Sequence, residues 1–173
     1  MLKGGDNLKK QKKIRDFGIT IGKMNTGENN SITDVPGVKV GHFTLNDVNI
    51  KTGVTAIIPH KGNMYKEKLV AASHVINGFG KTMGLIQVDE LGCMETPIIL
   101  TNTLSVGAAH EGLLKYMLSL DKDIQSLNPI ICECNDGYLN DIRGLHIKSN
   151  HVIEAIENAS SQFLEGSIEI GRA

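Results

Sequence analysis

The sequence predicts a layered domain of mixed α and β structure, α/β or α+β, and three observations carry that expectation. Short β-branched runs are interleaved with stretches of helical periodicity, without a fixed repeat period. At 173 residues the chain is long enough for one domain that removes roughly two-thirds of its unfolded surface from water. Two apolar runs, Thr96 to Leu100 and Pro129 to Cys132, each lead directly into a dense polar segment. The carboxyl ends of strands are where open α/β sheets bind ligands, so function is sought there.

Residues 1–13 carry Lys3, Lys9, Lys10, Lys12 and Lys13 with almost no apolar periodicity, and read as a mobile basic arm. Residues 14–173 read as a single domain. Order begins near Ile14 to Ile21 and breaks at Gly22 to Asn30. Ser31 to Gly37 is a turn, since Pro36 presets one backbone angle and Gly37 accepts positive φ. Val38 to Leu45 alternates as a strand does, and Gly53 to Ile58 is a second, central strand. Leu69, Val70, Ala72, Val75 and Ile76 fall at helical spacing, which predicts a helix over 66–77 stopped by Gly78; Leu85 to Val88 reads as a strand. Beyond Thr101-Asn102-Thr103, which offers cap residues, comes a helix with the stripe Val106, Ala109, Leu113, Met117 and Leu120. Pro129 to Cys134 is another strand. Asn150 is placed to cap a final helix bearing Val152, Ile156, Ala159 and Phe163.

Composition narrows the function classes. With 18 basic and 19 acidic side chains, net charge steers the protein toward no polyanion. Aromatics at 4% and the absence of tryptophan leave little material for stacking bases. No apolar stretch approaches the ~20 residues of a membrane span, and no hydrophobic signal core opens the chain. The expectation is a cytoplasmic protein with neither nucleic acid nor membrane as partner. Cys93, Cys132 and Cys134 are odd in number and lack C-x-x-C spacing, so reduced cysteines packed as small hydrophobes are expected. Gly78-Phe79-Gly80 alone does not make a nucleotide loop.

The chemistry-bearing residues crowd into the two polar segments. The helix after Thr101-Asn102-Thr103-Leu104-Ser105 begins with unpaired amides of partial positive charge, which with the Asn102 amide could hold a carboxylate or a developing oxyanion; a plain helix cap explains the same residues. Glu133, Asn135, Asp136, Asn140 and Asp141 are harder to explain as a turn, which needs only one or two such side chains. Gly137 permits a sharp bend, and Arg143 is close enough to pair with a carboxylate. The acidic spacing of a calcium loop is missing, so no metal and no cofactor are expected. His110 and His146 read as core or boundary residues, and Ser105, His146 and Asp141 make a triad only on paper.

Five ordered segments resemble a family: Ile32 to His42, Thr52-Gly53-Val54-Thr55, Asn77-Gly78-Phe79-Gly80, Thr101 to Gly107, and Asn135 to Gly144. Together they are similar to the DmpA-type aminopeptidases, which include D-aminopeptidases and β-peptidyl aminopeptidases, and the match runs from about Asp16 to Gly166. The resemblance implies an α-β-β-α layered sandwich, shared in broad form with ornithine acetyltransferases. It implies an oligomeric enzyme that releases amino-terminal residues from small peptides or amino-acid amides. Such proteins cut themselves to expose a serine whose free amine serves as its own base, which removes the need for a histidine. By resemblance, Asn102, Thr103 and Ser105 at the helix start line the substrate and oxyanion pocket, Glu133 faces the substrate's ammonium group, and Asn135, Asp136 and Tyr138 shape the wall.

Glu165 to Ala173 resembles only the start of the family's glycine-rich segment. The expectation is therefore a sandwich truncated at its carboxyl end, with no catalytic residue in this chain and the serine beyond Ala173. Ser167 precedes the expected cleavage site and is not the nucleophile. Two alternatives stand beside the aminopeptidase: an inactive binding or assembly module derived from it, and an acyl transferase of the ornithine acetyltransferase type. An uncovered sheet edge and apolar face would favour association of the isolated chain, toward a homo-oligomer.

Overall fold

β1 (Lys39–Asn46) and β2 (Lys51–Ile58) form an antiparallel hairpin across a four-residue loop, in the computed structural model, which describes residues 12–165. The loop closes through Asp47 N–H to the Ile50 carbonyl at 2.8 Å. β2 pairs antiparallel with β5 (Ile98–Asn102), and β5 pairs parallel with β6 (Ile130–Cys134), giving the order β1-β2-β5-β6. A mixed sheet needs a crossover between its parallel members, and α2 (Val106–Leu120) supplies it. α3 (Ser149–Glu157) packs beside α2 on the same face, against β1 and β2.

The core is the interface between that sheet face and the two helices. Val54, Ala56, Ile99 and Ile131 from the strands meet Val106, Ala109, Leu113 and Met117 of α2 and Val152, Ala155 and Ile156 of α3. The strand residues obey the two-residue alternation and the helical ones the expected stripe, except that Leu120 ends half-exposed. Gly41 lets β1 approach the end of α3, because a Cβ there would lie 2.0 Å from the Ala155 carbonyl oxygen. Phe43 stacks on His151 with ring centres 4.0 Å apart, and burial pushes the His151 imidazole below its ordinary pKa.

The opposite sheet face carries Ile57, Ile98, Leu100 and Cys132, all half-buried. The chain returns beside β1 through paired bonds between Val40 and Ser160 and contributes Phe163, Leu164 and Glu165 to a groove of about 240 Å³ over Val40, His42, Thr55 and Ile57. The mixed α and β class is as expected. The described residues supply one helix layer and one large sheet of the four-layer arrangement.

Several local expectations change. No helix spans 66–77. Leu69–Val70 (β3) pairs instead with Cys93–Met94 (β4), Ala71 N–H bonds to the Gly92 carbonyl, and Val70, Val75 and Ile76 are exposed. The helical spacing there had no buried surface to meet, so the backbone paired elsewhere. Leu85 to Val88 is not a strand but the start of α1 (Leu85–Leu91), bounded by Gly84 and Gly92, both at positive φ. A short apolar run fits either state, and the flanking glycines decide it. α3 is capped at Lys148 and ends at Glu157, so Asn150 lies inside it and Ala159 and Phe163 lie beyond it.

Beside β4, Glu95 is buried and paired with Lys68, and it accepts a bond from Asn128 N–H at 2.9 Å. Burial pushes the Glu95 carboxyl up, but the bonds from Lys68, Asn128 and Gln87 and the charge of Lys68 outweigh it, leaving a pKa below the usual value. The basic arm up to Gln11 and the segment from Gly166 onward lie outside the described residues. Lys13 is within them and is bonded to Glu165 at 3.0 Å. No helix among the described residues is long and apolar enough to cross a membrane.

Candidate active site

The parallel pairing of β5 with β6 brings the two polar segments side by side. Thr101 lies opposite Glu133 and Asn102 opposite Cys134, so both segments leave the sheet at the same edge. Asn102 ends β5 in an extended conformation and caps the turn that follows: its Oδ1 accepts from Leu104 N–H at 3.1 Å. Its Nδ2 donates to Thr52 Oγ1 at 2.8 Å, tying the turn to the start of β2. Asn102 and Thr52 are both fully buried, and both ends of the Asn102 amide are engaged inside the protein.

A 3₁₀ turn, Thr103–Ser105, then delivers the chain into α2. Thr103 donates its hydroxyl proton to Glu133 Oε2 across the gap between strands. Glu133 Oε1 accepts from the backbone N–H of Lys81 at 3.0 Å. The carboxylate is thus oriented by two neutral donors, it is only half-buried, and no described cation pairs with it.

After β6 the chain folds over the β1–β2 hairpin. Asp136 is buried, its Oδ1 accepts from Asn140 Nδ2 at 3.2 Å, and its backbone carbonyl takes the Leu139 and Asn140 amides. Asn140 Oδ1 in turn accepts from Lys51 N–H at 3.2 Å, and Asp141 N–H donates to the Asn49 carbonyl at 2.8 Å. Asn135 is exposed and bends the chain by accepting from Gly137 N–H at 2.8 Å. Tyr138 stands 94% exposed, free for a ligand or another chain to cover. Ser105 Oγ and Asp136 Oδ2 are buried without a hydrogen-bond partner, one at each of the two segments.

Three expectations are corrected or completed here. Arg143 is exposed and joins no ion pair among the described residues; His146 takes that role, bonded to Asp141 at 3.2 Å. The Ser105, His146, Asp141 triad does not form, because no bond reaches Ser105 Oγ. No disulfide joins the three cysteines, but Cys134 is exposed rather than packed, whereas burial raises the Cys132 thiol pKa. Among the described residues no cluster of His, Cys, Asp and Glu could hold a metal ion.

Sequence reasoning missed Lys81 as a partner of Glu133. Met83 and Ile131 exchange both backbone bonds, at 2.9 and 3.2 Å, which lays residues 81–83 along the outer edge of β6. Gly84 makes the turn into α1 possible: its φ is +87°, and a Cβ would meet the Pro129 carbonyl oxygen at 2.4 Å. The visible signal was the Asn77 to Gly80 motif, which as a sequence held no hint of its neighbour.

Comparison with known proteins bears on the family and the fold. The profile of Peptidase family S58 matches residues 30–173. Beta-peptidyl aminopeptidase BapA of Sphingosinicella microcystinivorans is 33% identical over 171 residues, covering 93% of this chain and 42% of that protein. The solved PH0078 protein of Pyrococcus horikoshii OT3 is 54% identical with a TM-score of 0.89, covering 91% of this chain and 48% of its own. The L-aminopeptidase D-Ala-esterase/amidase of Ochrobactrum anthropi, described as a prototype serine aminopeptidase and a variant of the Ntn hydrolase fold, is 30% identical with a TM-score of 0.76, covering 87% and 45%. The chain spans less than half the length of these relatives.

Proposed function

The chain belongs to Peptidase family S58, and from that premise we propose that it forms the substrate-gripping part of an aminopeptidase that releases amino-terminal residues from peptides or amino-acid amides. The observation that carries this is Glu133: a carboxylate at the sheet's carboxyl edge, held by a hydroxyl and a backbone N–H and paired with no cation among the described residues. Such a group fits the ammonium of an amino-terminal residue. Thr103 orients it, Asn102 fixes the turn that presents Thr103, and the start of α2 with Ser105 offers partial positive charge for a developing oxyanion. Asn135, Asp136 and Tyr138 form the adjoining wall.

The attacking serine comes from outside these 173 residues, from a segment exposed by self-cleavage. Its hydroxyl attacks the amide carbon while its own amine takes the proton and returns it to the departing amine. The half-buried face bearing Ile57, Ile98, Leu100 and Cys132 receives the second sheet, and the assembled enzyme is a cytoplasmic homo-oligomer. The share of each relative that this chain covers supports that division.

The test is to assay amino-acid amides and p-nitroanilides with the 173-residue chain and with any longer natural protein that contains it. Serine-dependent turnover by the longer protein alone is expected. Robust serine-dependent turnover by the shorter chain would refute the missing nucleophile. The second reading, a binding module without turnover, predicts amine binding with no hydrolysis in either form.

A further inference from the structure

The Asn77–Lys81 loop places a cation next to the site's carboxylate without neutralising it. Glu133 accepts a bond from the backbone N–H of Lys81 at 3.0 Å, so the lysine's flexible stem is rooted beside the carboxylate and long enough to bring its ammonium there. No ion pair joins them. The ammonium instead donates to the Phe79 carbonyl at 2.8 Å and sits 3.9 Å from the centre of the Phe79 ring. Asn77 braces this arrangement, its Oδ1 accepting from Phe79 N–H at 2.9 Å. Phe79 is 82% exposed, so its ring serves no core packing that would account for a large apolar side chain at this position. What the ring does contact is the Lys81 cation, which its negative face attracts.

We propose that Phe79 is a positioning residue that holds the Lys81 ammonium off Glu133, so that the carboxylate keeps its charge for the ammonium group of an incoming primary amine. Lys81 is then a tethered competitor of the substrate: the same ammonium chemistry, on the same loop, stowed on an aromatic face. The ligand class is a primary amine with no need of a free carboxylate, as in an amino-acid amide. This rests on reading Glu133 as the ammonium site.

Calorimetric titration of the chain with leucinamide tests it without requiring the nucleophile. Replacing Phe79 with alanine should weaken binding roughly two- to fivefold, the strength of an exposed cation–π contact. Phe79→Tyr should bind as the wild type does, and Phe79→Ala combined with Lys81→Met should recover wild-type affinity to within about twofold, a rescue that simple loss of an apolar contact does not allow. Unchanged binding in Phe79→Ala, or a double variant as weak as the single one, would overturn the proposal. If the wild type ignores leucinamide, or Glu133→Gln binds it equally well, the reading of Glu133 falls and takes this inference with it. Glu133-dependent binding without rescue by Lys81→Met defeats the inference alone.

Discussion

The ends of β5 and β6 lie side by side yet are finished in opposite ways. Asn102, ending β5, is buried with both ends of its amide bonded inside the protein. Glu133, beside Thr101 on β6, is half-buried and held by two neutral donors with no ion-pair partner among the described residues. One wall is complete in itself, and the other is complete only when something positive arrives. Polar residues of similar look in the sequence thus divide into a frame and a hand, and the division follows from which of them the crossover to α2 seals from water.

The strongest way to break this contrast is Asn102→Ala. It strands the Thr52 hydroxyl and the Leu104 amide in a buried setting, so urea unfolding should show a loss of about 2–4 kcal/mol. A loss under about 1 kcal/mol would show that the β5 wall is not a frame. Glu133→Gln is its mirror: amine affinity should fall by roughly ten- to a hundredfold, as for a bond to a charged group, while stability changes little. If stability fell as it does for Asn102→Ala, the two walls would not differ in kind.

Thr103 links the walls and sharpens the comparison. Thr103→Val should weaken amine binding by about 1 kcal/mol, and Thr103→Ser should restore it, because only the hydroxyl matters to Glu133. Equal losses in both variants would mean that Thr103 packs rather than orients.

The smallest effect concerns Glu95, a carboxylate finished with a cation rather than left open. Its folded pKa lies below the value near 4.5 of the free side chain, so its contribution is fully present above that pH and is lost as pH falls through the folded value. Urea melts at pH 7 and pH 3 should show a smaller acid penalty in Glu95→Gln than in the wild type. Identical penalties would remove Glu95 from the acid response.

The parts of the fold legible in the sequence were those with strong local patterns. β1 alternates, β2 is a β-branched run, β5 and β6 are short apolar runs followed by polar clusters, and α2 carries its stripe from Val106 to Met117. Leu85 to Val88 was not legible, because four apolar residues suit either state until Gly84 and Gly92 adopt positive φ. Nor was the stretch 66–77, where helical spacing met no surface to bury. At the candidate site, the two polar segments could be found in sequence. Their shared edge could not be proved there, nor could the contact of Lys81 with Glu133, which a backbone amide makes and no side-chain pattern advertises.

By itself, then, the order of residues determined which strands and helices could exist and where polar groups would leave the sheet, since alternation, helical stripe and capping act over a few neighbours. Tertiary structure alone decided which polar groups became framework and which stayed available. Burial, register and the paths of loops depend on contacts between residues far apart in the chain, and only the parallel pairing of β5 with β6, with Met83 beside Ile131, brings Thr103, Lys81 and Glu133 together.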